Sequence, residues 1–162
     1  MLVESADDLR SLLASAFTDV SVFVPPRAHF KLGGAELACG SEVAIESDEV
    51  PSFRVSIRST ADGATLDGER RSRLFRLSSR CMLSLQHLSL INGFADSDKG
   101  GAIYSTGGRE VRLSEVHVAD CSADNGGAIA AYSGSRTEIW CPLPTLALPS
   151  SYLLVAISLD AG

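Results

Sequence analysis

The chain has 162 residues, 45% hydrophobic and 21% charged, with a formal net charge of −6. That balance suits one globular domain with a sizeable core, excludes a disordered chain, and argues against a nucleic-acid partner. Aromatics are only 6%, so the core must come from Leu, Val, Ile and Ala, and fourteen glycines point to a turn-rich, all-β chain.

Met1-Leu2-Val3 runs straight into Glu4, Asp7 and Asp8, which is neither the basic-then-apolar pattern of a signal peptide nor an acid-poor transit peptide. The expectation is a protein that is not exported, or one whose true start precedes this sequence. Residues 1–19 predict a helical cap. Ser5 suits the N-cap, Asp7 and Asp8 sit where the positive end of the helix dipole favours acids, and Leu9, Leu12, Leu13, Ala16 and Phe17 share one face. Such a helix must cover something, and the open end of the strand region after it is the natural target.

Residues 20–140 read as strands. Val20, Val22 and Val24 alternate with Ser21 and Phe23 before Pro25-Pro26 ends the run. Phe30 to Leu32, Leu37 to Cys39, Val43 to Ile45 and Val55 to Ile57 continue the series, broken by Gly, Asp, Asn and Ser.

An internal repeat organises them. Leu83, Leu85, Leu88 and Leu90 match Val111, Leu113, Val116 and Val118 at one constant offset. The same offset relates Val55 and Ile57 to Leu83 and Leu85, and Phe75 to Ile103. Gly100-Gly101-Ala102-Ile103 recurs as Gly126-Gly127-Ala128-Ile129 at a slightly shorter spacing. Units that cannot bury an apolar face alone stack at about 4.8 Å and pair strand to strand. The predicted fold is therefore all-β, a right-handed parallel β-helix with a short N-terminal capping α-helix, with the Gly pairs supplying φ > 0 at corners. The alternative is a β-sandwich of hairpins turning at Asn92-Gly93 and Asn125-Gly126.

Ala64 to Gly68, Leu74 to Leu77 and Leu83 to Gly93 together resemble the pectin-lyase-like β-helix proteins. Gly100 to Tyr104 and Gly126 to Ile129 resemble the repeats of the polymorphic outer-membrane proteins and related adhesins, although the FxxN motif of that group is absent. The resemblance implies an extracellular or cell-surface location and a choice among enzyme, adhesin and scaffold.

Two clusters are candidate sites. Asp96 and Asp124 stand one repeat apart, with Asp98 and Asp120 close in sequence, a set that Ca²⁺ would suit. The resemblance implies a calcium-dependent uronate lyase as one use, with Arg109 or Arg112 supplying positive charge. The competing reading is plain turn residues. Arg70, Arg71, Arg73, Arg76 and Arg80 lie within eleven residues and could hold glycan carboxylates or sulfates. Their competing reading is a solvated face paired with Asp67 and Glu69. No aromatic interleaving accompanies them, as a nucleic-acid partner would require.

His29, His87 and His117 form no catalytic motif, and Gly-His-Gly is absent, which argues against a polygalacturonase-like hydrolase. Cys39, Cys81, Cys121 and Cys141 lack zinc-ligand spacing; they permit three disulfide pairings, with buried free thiols as the alternative. Residues 141–162 form an apolar, Pro-containing tail too short to span a bilayer. The leading expectation is a non-catalytic scaffold binding a glycan or protein partner, without a cofactor unless the acidic cluster takes Ca²⁺. The alternatives are the lyase or an inactive fragment of a longer protein.

Overall fold

The computed structural model describes residues 1–39, 52–78, 80–105, 110–125, 127–131 and 136–140, with the backbone alone at 97–99, 125, 131 and 136–140. Arg109, Gly126 and the tail 141–162 lie outside the described residues.

The first element is the predicted helix, α1 (Ala6–Ala14). Ser5 Oγ accepts the Asp8 N–H at 3.1 Å, and Asp7 and Asp8 occupy the first turn. The helix stops sooner than the apolar pattern predicts. The Ser15 hydroxyl donates to the Ser11 and Leu12 carbonyls and closes the last turn, so Phe17 stays 66% exposed instead of joining the buried face.

The strands are β1 (Val20–Phe23), β2 (His29–Lys31), β3 (Leu37–Cys39), β4 (Phe53–Arg58), β5 (Ala64–Asp67), β6 (Phe75–Leu77) and β7 (Cys81–Ile91). They continue as β8 (Phe94–Lys99), β9 (Ile103–Ser105), β10 (Glu110–Ala119), β11 (Ser122–Asn125), β12 (Ile129–Ala131) and β13 (Arg136–Trp140). Every pairing among them is parallel, which removes the hairpin sandwich. The repeat read from the sequence is realised in the register: Leu83 pairs with Val111, Leu85 with Leu113, Leu88 with Val116 and Leu90 with Val118.

The regular right-handed β-helix expected from that repeat is nevertheless corrected. The strands form three separate parallel sheets, of seven, four and two strands, beside one helix. The seven-stranded sheet runs β1-β4-β7-β10-β13 and branches at β7, which takes β4 along its first half and β5 along its second. Partner offsets are not uniform. Val20 pairs with Val55 and Leu37 with Phe75 across longer stretches of chain than separate Leu83 from Val111. Ala64 pairs with Leu88 and Ile103 with Ile129 across shorter ones. A sequence match between two strands dictates their pairing. It does not dictate the connections, whose unequal lengths set these offsets, and His87 at φ +54 bends β7 where the sheet divides.

Side chains alternate across each strand, so one face of each ladder fills the core. Val22, Ile57, Leu85 and Leu113 are in-register partners and all buried, as are Leu37, Phe75, Ile103 and Ile129. Leu9 and Leu13 are fully buried against this core, where α1 packs on β3. Each such side chain contributes about 1.5–3 kcal/mol through removal from water. The glycine motif has a steric origin. Gly100 sits at φ +65, and a Cβ on Gly101 would run into the Gly127 carbonyl of the next strand connection.

Cys39 and Cys81 form a disulfide, which settles that pairing and corrects the free-thiol alternative for these two. It ties β3 of the four-stranded sheet to β7 of the seven-stranded sheet through fully buried sulfurs.

Candidate functional site

The five clustered arginines differ in burial and in the elements that carry them. Arg70 occupies a left-handed turn position (φ +55) and is exposed, and the exposed Arg71 lies against Gly34. Half-buried Arg80 stands at the entrance to β7, its carbonyl accepting the Phe53 N–H. Arg73 and Arg76 converge on Glu36, a residue that no local motif singles out.

Glu36 precedes β3. Its Oε2 lies 3.3 Å from Arg73 Nη1 and its Oε1 3.6 Å from Arg76 Nη1. Arg73 is 6% exposed, with Nε donating to the Gly100 carbonyl at 2.9 Å and the guanidinium 4.8 Å from the Tyr104 ring centroid. A buried guanidinium held by a carboxylate, a carbonyl and a ring is a wall of the site. Arg76, at the centre of β6, points outward between its strand partners Ala38 and Tyr104 and keeps 44% of its side chain in solvent.

These residues border an open groove of about 300 Å³. Gly34 and Glu36 line it together with Ser72, Arg76, Phe94 and Asp96. Phe94 and Asp96 are two apart on β8, so both face outward while Ala95 between them is buried. Ser72 is 9% exposed, and its Oγ has no hydrogen-bond partner among the described residues. No family model, curated protein or solved structure matches this chain.

The four acidic residues lie on different elements. Asp96 belongs to this groove; Asp120 takes a left-handed position (φ +53) at the end of β10; Asp124 is exposed on β11. Asp98 lies in β8 with its side chain outside the described residues. β11 follows β8 in register as far as Ala123 and Ala95 and then slips, so that Asn125 meets Lys99. Residues 96, 97 and 98 of β8 therefore stand opposite Asp124, a bulge in the ladder that the repeat did not predict. Among the described residues no three His, Cys, Asp or Glu side chains gather as a metal group. Arg112 is held by Glu110 at 2.9 Å.

A second polar centre went unnoticed in the sequence. Asp67 Oδ1 accepts from Asn92 Nδ2 at 2.9 Å and from the Glu69 N–H at 2.8 Å, and Oδ2 lies 3.0 Å from His29 Nε2. Burial by itself would raise the Asp67 pKa, but the bonds from Asn92, Glu69 and His29 outweigh it and hold the carboxyl below its ordinary value. His29 borders a wider groove beside the start of α1. Elsewhere, burial pushes the half-buried Cys121 thiol up. Among the described residues no helix is long and apolar enough to cross a membrane.

Proposed function

We propose that this protein is a non-catalytic binding scaffold that takes a glycan or protein partner in the groove bounded by Glu36, Arg76, Phe94 and Asp96. The observation that carries this reading is the arrangement of the groove. An outward aromatic ring, a half-exposed guanidinium and a carboxylate are mounted on strands whose inner faces are locked in the core. Fixed polar groups beside an aromatic surface bind ligands at little cost in side-chain ordering. The engagement of Arg73 by Glu36 and Gly100 favours a supporting role for that guanidinium over proton transfer.

The Cys39–Cys81 disulfide supports an extracellular or cell-surface setting, since such bonds persist in oxidising compartments. The test is a glycan microarray and a surface-displayed peptide library probed with the full chain. Saturable binding that Arg76→Ala weakens supports the reading. Turnover of a bound glycan, seen as new reducing ends or unsaturated products, overturns its non-catalytic part.

A further inference from the structure

We infer that the groove selects a neutral hexopyranose chain over an acidic one, an inference that rests on the binding reading above. An acidic glycan needs uncompensated positive charge at its binding site. Here the two arginines converge on Glu36, at 3.3 and 3.6 Å, and Asp96 adds a second carboxylate to the lining. Among the lining residues two guanidinium groups and two carboxylates cancel, so a uronate or sulfate meets no net attraction from them and two carboxylates of its own sign.

A neutral sugar meets a complementary surface. A pyranose ring has an apolar C–H face and a rim of hydroxyls that both donate and accept. Phe94, 37% exposed, offers the apolar face a flat ring, and Asp96, on the same side of β8, accepts from the hydroxyl rim. Arg76 has a guanidinium fork from which to donate to ring or hydroxyl oxygens.

Ser72 supplies the independent sign of a missing ligand. Its Oγ is buried beside the groove without a partner among the described residues, a state that costs free energy until something bonds to it. A sugar hydroxyl, able to donate and accept at once, completes it once a rotation about the Ser72 Cα–Cβ bond turns Oγ toward the groove. A groove of about 300 Å³, open to solvent, takes a short internal segment of a chain.

The experiment is isothermal titration of the full chain with mannotetraose and cellotetraose against tetragalacturonate, at low and high salt. At least one neutral tetrasaccharide should bind with little salt dependence. Phe94→Ala and Asp96→Ala should each weaken it about tenfold. Ser72→Ala should weaken it about fivefold without lowering the melting temperature. The exposed Arg27→Ala serves as the unchanged control. Tighter, salt-sensitive binding of tetragalacturonate overturns the inference and leaves the scaffold reading standing. Neutral binding that all three groove variants leave intact overturns this site. Failure of every saccharide, together with a blank array and library, overturns both.

Discussion

His87 and Glu115 stand at the same corner of adjacent parallel strands, each between residues that pair across them. Both have left-handed backbones, at φ 54 and 55, and their side chains meet at 2.7 Å between Nδ1 and Oε2. On either side of them Gln86 pairs with Ser114 and Leu88 with Val116. This contact therefore marks the bend that both strands share.

Two effects compete at that bend. A non-Gly residue in the left-handed region costs about 1–2 kcal/mol, whereas a partly exposed side-chain hydrogen bond returns about 1 kcal/mol. His87→Gly should thus leave stability within about 1 kcal/mol of the parent, and His87→Val, with a branched Cβ at φ > 0, should cost about 2 kcal/mol. Urea melts of the two variants check the order, and a Val variant as stable as the Gly variant would contradict the bend.

Asp67 predicts the acid behaviour. Its folded-state pKa lies below its unfolded value, so it adds stability above the ordinary carboxylate range and withdraws it as pH falls through the folded value. Asp67→Asn should lower the melting temperature at neutral pH and flatten the decline as pH falls below the ordinary carboxylate range. Parallel acid limbs in parent and variant would show that Asp67 is not responsible.

Arg73 and Arg76 share Glu36 but differ in burial, so their removal should differ in kind. Arg73→Ala leaves the Gly100 carbonyl without its buried side-chain donor and Glu36 with Arg76, and should cost about 1–3 kcal/mol. Arg76→Ala removes a solvated pair and should cost less than about 1 kcal/mol. Denaturant melts of both, run beside binding assays, separate the supporting wall from the ligand-facing residue.

The disulfide closes a sequence separation of 42 residues, for which chain-entropy arguments give a stabilisation of about 4 kcal/mol. Reduction, or the Cys39→Ser/Cys81→Ser double variant, should lower the melting midpoint accordingly. An unchanged midpoint under reducing conditions would count against the bond.

Local pattern carried much of the architecture. Ser5, Asp7 and Asp8 announced α1 because capping and helix-dipole effects act within one turn, and the alternation in Leu83 to Leu90 and Val111 to Val118 announced a parallel pair because burial has period two along a strand. Phe17 misled for the same reason, since periodicity does not register the Ser15 bonds that end the helix. The repeat suggested one regular coil, yet the connections of unequal length divided the strands among three sheets.

By itself, then, the sequence determined the helix, the paired faces of β7 and β10, and the close approach at the Gly-Gly corners, all consequences of spacing along the chain. Only the tertiary structure decided that Glu36 joins Arg73 to Arg76, that Cys39 meets Cys81, and that Asp67 gathers His29 and Asn92. These partners lie far apart along the chain, brought together by strand pairing and by packing between sheets, and no local rule connects them.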